Sequence, residues 1–188
     1  MALDPPLRSE PDIRHRIWQD LQRATQDRHH AWRTPVLATV GADGLPQART
    51  VVLRHADSKL GRLQIYTDSR SPKVNDITGK PEVLLLFWSK RLGWQLRVRA
   101  IASVQHSGPE VDAVWSQVVQ SAAASDYLSV NAPGEKLPAV STVSADLQSP
   151  HHLAIISLQV QDIDWLELAR SGHRRAAFST NTWQWLVP

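Results

Sequence analysis

The sequence predicts a mainly β domain: an antiparallel barrel that is closed or nearly closed and carries peripheral helices. Segments with a strand-like period outnumber helical segments, and short turns link most of them. The chain has 188 residues, 42% of them hydrophobic, which is enough to build one core. No internal repeat or convincing boundary divides the chain. We therefore expect residues 1–188 to form a single domain.

The N-terminal part predicts an arm, a helix and a hairpin. Prolines and charges mark residues 1–11 as a loose arm. Apolar residues then recur at helical spacing from Asp12 to Trp32, which predicts a surface helix with one buried stripe. The period next changes to that of strands, which predicts a β-hairpin formed by Val36–Val40 and Gln47–Arg54 around a turn at Gly41–Gly44.

The next elements surround a predicted short helix. A third strand is expected at Leu63–Thr67. Ser71 is typical of a helix N-cap, and Pro72 of a first helical residue, so we expect a helix to about Gly79. The apolar run Glu82–Trp88 predicts a buried strand, and alternation over Trp94–Gln105 predicts a strand with one polar face.

The C-terminal part predicts a helix, a loop and closing strands. Apolar residues at helical spacing predict a helix from Pro109 to about Tyr127. Residues 129–151 are rich in Ser, Pro and Ala without a period, which predicts a long mobile loop. The remaining strand-like segments are Leu153–Val160, Ile163–Leu168, Ala176–Phe178 and Trp183–Val187.

Composition excludes several kinds of site and favours a cytoplasmic protein. Without cysteine, the chain cannot form a disulfide, a Cys zinc site, an Fe–S cluster or a thiol nucleophile. The formal net charge of +3 is too small to indicate nucleic-acid binding, and no apolar run approaches the roughly 20 residues of a membrane helix. His29-His30 and His151-His152 are adjacent pairs whose rings diverge, so we expect no metal site.

The densest anion-binding chemistry lies between Arg49 and Lys73. Arg49 and Arg54 lie on opposite faces of a predicted strand. Ser71, Pro72 and Lys73 offer a hydroxyl, a helix N-terminus and an ammonium, which together suit a phosphate monoester. The alternative is structural: the two arginines discourage pairing of an edge strand, and Ser-Pro only starts a helix.

The order of these motifs resembles the pyridoxamine 5′-phosphate oxidase family, which is built on an FMN-binding split barrel. The similarity covers residues 35–106 well and 153–188 more loosely. The motifs that carry it are, in order, Arg49-Thr50-Val51-Val52-Leu53-Arg54, Tyr66-Thr67, Ser71-Pro72-Lys73, Leu84-Leu85-Leu86-Phe87-Trp88, Gln95-Leu96-Arg97-Val98 and Trp183-Gln184-Trp185-Leu186-Val187-Pro188.

The resemblance implies a homodimer with FMN at the interface, where both chains contribute residues. Residues 49–54 would meet the phosphate and ribityl chain. Gln95 would hydrogen-bond the flavin ring, and Arg174 or Arg175 would make a second cofactor or substrate contact. The cofactor-binding residues expected on this basis are Arg49, Thr50, Val51, Val52, Leu53, Arg54, Tyr66, Thr67, Ser71, Lys73, Gln95 and Arg175.

The chain also departs from the family pattern. Pro72 replaces an arginine and Arg54 a lysine, so one cation is lost and another changes shape. The segment Trp115–Asp126, where the oxidases hold the substrate phosphate, contains no arginine. Trp165 is displaced by one residue, which turns its side chain to the other face of a strand. We therefore expect an altered substrate site.

Three functions remain open from the sequence. The leading hypothesis is an FMN-dependent oxidoreductase in which the flavin performs the redox step and no side chain acts as a nucleophile. The second is a non-enzymatic binder of flavin or haem, with His106 or His173 as the axial ligand of a haem. The third is authentic pyridoxamine 5′-phosphate oxidation, which would need cations from Arg97, Arg99, Arg174 or Arg175.

Overall fold

The computed structural model describes residues 9–137 and 150–188, which form a β-barrel with helices at its periphery. The helices are α1 (Glu10–Gln26), α2 (Pro72–Gly79), α3 (Pro109–Val118) and a 3₁₀ helix (Ala122–Tyr127). The strands are β1 (Val36–Val40), β2 (Pro46–Thr50), β3 (Leu53–Asp57), β4 (Arg62–Asp68), β5 (Glu82–Ser89), β6 (Trp94–Gln105), β7 (Leu153–Glu167), β8 (Arg174–Phe178) and β9 (Trp183–Leu186).

The strands pair antiparallel in the order β2-β1-β5-β6-β7-β4-β3, with β8 and β9 added beside β7. Val51 N donates to Pro35 O at 2.9 Å and Leu53 N to Arg33 O at 2.8 Å, so the start of β3 bonds to the residues before β1. These bonds close the sheet around the core, which confirms the predicted antiparallel barrel. None of the helices in the described residues is long and apolar enough to cross a membrane.

The first helix is shorter than predicted and begins earlier. The hydroxyl of Ser9 accepts from Asp12 N at 3.3 Å, so Ser9 is the N-cap and Glu10 already belongs to the helix. At its other end the helix stops at Gln26 rather than Trp32. Trp32 is fully buried, and it contributes to the core from a turn rather than from a helix.

The predicted strand Gln47–Arg54 is in fact two strands at opposite ends of the sheet order. Residues 46–50 pair with β1, and residues 53–57 pair with β4, with Val51-Val52 between them. The expectation of one strand was therefore wrong. Apolar alternation continues across the break because Val51 packs on the core and Leu53 is fully buried within it.

In contrast, two predicted strands near the C-terminus are one. β7 runs unbroken from Leu153 to Glu167, and its register with β6 shifts beside Gln161, where the strand bulges. Its first half pairs with β4 and its second half with β8. The sequence predicts a strand end near Gln161 because the bulge interrupts the alternation of inward and outward side chains.

The helix predicted from Pro109 to about Tyr127 ends at Val118, and a separate 3₁₀ turn follows it. Residues 1–8, which are most of the predicted arm, lie outside the described residues. Residues 138–149 of the predicted loop lie outside them as well. Residues 129–137, the described beginning of that loop, contain no helix and no strand of the sheet.

Candidate functional site

A cluster of hydroxyl and cationic groups forms where β4 leads into α2. Lys73 Nζ donates to the hydroxyl of Thr67 at 2.9 Å and also to that of Ser71. Ser71 is the N-cap of α2, as predicted, but its hydroxyl makes no capping bond and faces Lys73 instead. The turn between β4 and α2 thus brings together Ser71 and Lys73, which were predicted to hold the phosphate, and Thr67, which was predicted to lie alongside the cofactor.

Arg49 reaches the same region from β2. Its side chain donates to Thr39 Oγ1 at 2.6 Å and to the Asp76 carboxylate at 3.4 Å, and Thr39 itself donates to Asp76 at 2.8 Å. A cavity of about 400 Å³ is lined by Arg49, Asp76 and Pro72, with residues of the β1–β2 turn opposite them. We call Arg49, Thr67, Ser71, Lys73 and Asp76 the anion cluster.

The electrostatics of the anion cluster suit a phosphate. Burial lowers the pKa of the Lys73 ammonium, and the neighbouring charge of Arg49 lowers it further. Asp76 and Asp68 act in the opposite direction. The cluster contains two cations, Arg49 and Lys73, but a single carboxylate, Asp76. A dianion would balance this charge better, and the two hydroxyls can donate to its oxygens, so the side chains fit the phosphate of FMN.

Arg54 and Tyr66 form a second group rather than joining the anion cluster. The Arg54 guanidinium lies over the Tyr66 ring, 5.6 Å from its centroid, and beside the Tyr127 hydroxyl. Burial raises the pKa of both tyrosines, while the Arg54 charge opposes that shift. Arg54 Nε is buried without a hydrogen-bond partner, so this group retains an unused donor.

The strand break separates the remaining residues of the first motif. Thr50 is exposed at the end of β2, while Val51 and Val52 are half-buried between the two strands. Leu53 is fully buried, so its side chain belongs to the core. The amides of Val51 and Leu53 are already bonded to Pro35 and Arg33. The predicted run Arg49–Arg54 is therefore not a uniform binding surface.

Gln95 and Arg175 lie in one row across the sheet. Gln95 on β6 pairs with Leu166 on β7, which in turn pairs with Arg175 on β8. The Arg175 guanidinium holds Asp164 through bonds of 3.1 and 2.8 Å, and Arg97 binds the same carboxylate. Burial acts to raise the pKa of Asp164, but hydrogen bonds from Arg175 and Arg97 outweigh it and lower the pKa below its usual value.

This row and the anion cluster are on opposite faces of the sheet. Arg49 pairs with the core residue Leu37, and Thr67 is two residues from the core residue Ile65, so both side chains lie on the inner face. Gln95 instead alternates with the buried Leu96, so it points outward. The structure therefore does not bring all the predicted cofactor residues together within one chain.

The segment that was predicted to form an altered substrate site contains the end of α3 and most of the 3₁₀ helix that follows it. Val114, Trp115 and Val118 of α3 pack on a small apolar cluster that includes Tyr127 and Leu153. α3 itself carries no lysine or arginine, although Arg54 lies beside Tyr127 of this cluster. Trp165 is fully buried, so its indole faces the core, and Leu166 lies in the outer row.

Neither predicted haem ligand lies in an apolar cavity. His106 is exposed after the end of β6. His173 is exposed beside Glu167 and Arg174, and its Nδ1 accepts a bond from Ala169 N at 3.3 Å. Arg174 is bound to Glu167 at 2.6 Å and lies over the Trp165 ring, so Arg175 rather than Arg174 shares the row with Gln95.

Sequence reasoning missed Thr39, Asp76 and Tyr127. Thr39 and Asp76 are 37 positions apart, and no local spacing signals that they meet. The sequence predicts Tyr127 at the end of an α-helix, whereas the structure shows it buried in the 3₁₀ helix beside Arg54. Only the pairing of distant elements reveals these contacts.

Comparisons with known proteins identify the family and the fold. The model of the family "Pyridoxamine 5'-phosphate oxidase, FMN-binding domain" matches residues 15–106. A pyridoxine/pyridoxamine 5′-phosphate oxidase of Caulobacter vibrioides is 33% identical over 98 residues, or 52% of this chain and 43% of that protein. The chain spans about half the length of the curated relatives it matches.

Two solved structures match the fold over the whole chain. A pyridoxamine 5′-phosphate oxidase-related, FMN binding protein of Nostoc punctiforme has a TM-score of 0.72 and 20% identity, with both chains fully covered. PhzG of Burkholderia lata, in complex with tetrahydrophenazine-1-carboxylic acid, has a TM-score of 0.69 and 20% identity, with 100% of this chain and 98% of that one covered. At this identity the likeness shows the split-barrel fold alone.

Proposed function

The chain belongs to the pyridoxamine 5′-phosphate oxidase-related family of FMN-binding split barrels, and on that premise we propose that it is an FMN-dependent oxidoreductase with an altered substrate site. The anion cluster carries this proposal. It offers two cations and two hydroxyls around a helix start, which matches a phosphate monoester. Bound flavin would supply hydride or electron transfer, and the chain would bind and orient it.

Within this proposal each group of residues has a separate task. Arg49, Thr67, Ser71 and Lys73 hold the phosphate. Arg54 and Tyr66 lie beside the middle of the cofactor, together with the backbone of residues 50–53. Gln95 and Arg175 hydrogen-bond the polar edge of the ring, and Asp164 keeps the Arg175 guanidinium in place. No nucleophile from the protein is needed.

We further propose that a second copy of the chain completes the site. Gln95 and Arg175 face outward, whereas the anion cluster faces inward, so two copies are needed to place both at one cofactor. On the outer face around the row, Trp88 is 46% and Ile101 41% exposed, beside the charged side chains of Arg97 and Arg99. A groove of about 510 Å³ beside them includes Ala38, Val40 and Leu84. Covering such a face would contribute to dimer stability.

The altered substrate site distinguishes this proposal from authentic pyridoxamine 5′-phosphate oxidation. Val114, Trp115 and Val118 form an apolar wall where that reaction calls for groups that hold a second phosphate. We therefore expect the substrate to lack a phosphate on this side. Turnover of pyridoxamine 5′-phosphate with release of peroxide would contradict this part of the proposal.

The first experiment is the visible spectrum of the purified protein, which distinguishes flavin from haem. It is followed by titration with FMN and with riboflavin, which lacks the phosphate. Arg49→Ala and Lys73→Ala should each weaken FMN binding by about tenfold or more, because each removes a charged donor worth about 1.5–3 kcal/mol. Riboflavin affinity should change little.

Lys59→Ala is the matched control, since it removes one cation from the exposed β3–β4 turn, at the end of β4 opposite the anion cluster. It should leave both affinities unchanged. A colourless protein that binds neither FMN nor riboflavin would overturn the proposed cofactor. A haem spectrum would favour the non-enzymatic or haem-binding alternative.

A further inference from the structure

Arg70 is a cation beside the anion cluster that does not join it. Its guanidinium makes a two-point contact with Asp68, through bonds of 3.1 and 2.7 Å, and its backbone amide donates to the same carboxylate at 2.8 Å. The Asp68 side chain is only 3% exposed. A carboxylate buried to this degree needs a cation, and Arg70 provides it.

The same guanidinium reaches across to a distant segment. Arg70 donates to three consecutive backbone carbonyls, those of Ser129 at 2.8 Å, Val130 at 3.2 Å and Asn131 at 3.3 Å. The planar fork of arginine can serve a carboxylate and several carbonyls at once, which a lysine ammonium does less well. One side chain therefore ties the turn 67–73 to the segment 129–131.

The segment that follows lies against the start of α2. A Cβ added to Gly134 would be 3.4 Å from Pro72 Cγ, so the backbone here approaches the first residue of the helix closely. Pro72 also lines the cavity that contains Arg49 and Asp76. Residues 129–135 thus pack beside the anion cluster, and Arg70 is the side chain that connects the two.

We propose that Arg70 is a positioning residue that couples occupancy of the anion cluster to the docking of residues 129–137. Thr67, Ser71 and Lys73 lie on the turn that Arg70 braces, so a phosphate that draws them together also stabilises the Arg70 contacts. By linkage, the docked segment strengthens phosphate binding by the same factor. The inference rests on the proposed function in so far as that phosphate belongs to FMN.

The test uses Arg70→Lys, which retains a charge beside Asp68 but cannot reach three carbonyls. We expect the dissociation constant of FMN to rise about tenfold, as is typical of coupled sites, while that of riboflavin stays within about twofold. Arg14→Lys is the matched control, because Arg14 likewise binds a carboxylate, that of Glu10, and two backbone carbonyls, those of Ser179 and Thr182, but has no part in the proposed site. It should leave the FMN affinity unchanged.

Hydrogen exchange of amides 129–137 provides the second readout. FMN or inorganic phosphate should slow this exchange in the wild type and do so much less in Arg70→Lys. Equal losses of FMN and riboflavin affinity, or unchanged FMN affinity, would overturn the inference. If the wild type binds no FMN, the proposed cofactor fails, and exchange with phosphate alone decides the inference. An absence of any phosphate effect on these amides would then refute it too.

Discussion

The charge state of Lys73 depends on its burial and on the charges around it. Its pKa is lowered from the usual 10.5, first by burial and then by Arg49. A phosphate between these cations would stabilise the protonated form and raise the pKa again. Phosphate binding and protonation of Lys73 are therefore linked. Where Lys73 is partly neutral in the free protein, binding takes up a proton. The affinity for phosphate accordingly falls as the pH rises through the lowered pKa.

We expect FMN affinity to decrease as the pH rises above neutral, because the lowered pKa of Lys73 makes it lose its proton in the free protein at a pH below its usual value. Fluorescence titration at a series of pH values measures this. Lys73→Arg keeps its charge over the whole range and should flatten the decrease. An equally steep decrease in Lys73→Arg would show that another group is responsible.

Asp76 is the counterion of the anion cluster, so its effect should depend on whether the cluster is filled. Asp76→Asn should lower stability by about 1–2 kcal/mol without ligand, since Arg49 and Thr39 lose a charged partner. Saturating FMN should recover most of this loss by replacing the missing negative charge. Thermal unfolding with and without FMN measures both; a larger loss in the presence of FMN would contradict the prediction.

At the scale of elements, the barrel depends on close approaches at its turns. Gly93 joins β5 to β6 with a φ of +64°, and a Cβ at this position would lie 2.5 Å from Leu168 O. Leu168 N donates to Gly93 O at 2.7 Å, so this turn is bonded to the end of β7. Both the conformation and the contact call for glycine.

Gly93→Ala should therefore lower the free energy of unfolding by roughly 1–3 kcal/mol, through strain and the displaced Leu168 carbonyl. Gly79→Ala is the control, because a Cβ there meets nothing within 4 Å and φ is not positive. It should be neutral or slightly stabilising. Urea denaturation measures both, and equal stability of the two variants would refute the account of this turn.

At the scale of the whole molecule, one chain presents the predicted cofactor residues as two halves. The anion cluster faces inward at the start of α2, and the row of Gln95 and Arg175 lies on the outer sheet face. Apolar residues on that face need a partner to leave water. Dimerisation and cofactor binding should accordingly depend on each other.

Ile101→Glu should shift the protein from dimer toward monomer and weaken FMN binding, because it replaces an exposed apolar side chain of the outer face with a charge. Leu60→Glu is the control: Leu60 is 55% exposed in the β3–β4 turn, away from the row. Sedimentation gives the mass, and titration gives the affinity. A monomeric Ile101→Glu that binds FMN normally would show that one chain suffices.

Several elements could be predicted because their information is local. The hairpin strand β1, the helix start at Ser71-Pro72 and the polar face of β6 all follow from spacing within a few residues. The break after Thr50 and the bulge at Gln161 could not be predicted in the same way. Both the break and the bulge depend on which strand lies alongside. The apolar alternation within one strand carries no information about that neighbouring strand.

For the site, the sequence by itself determined the residue types: two cations, two hydroxyls and a helix start that suit a phosphate. Only the tertiary structure decided that Arg49 and Lys73 share a cluster with Asp76, while Arg54 belongs to another with Tyr66 and Tyr127. The physical reason is that side-chain chemistry is local, whereas proximity depends on the pairing of strands far apart in the chain.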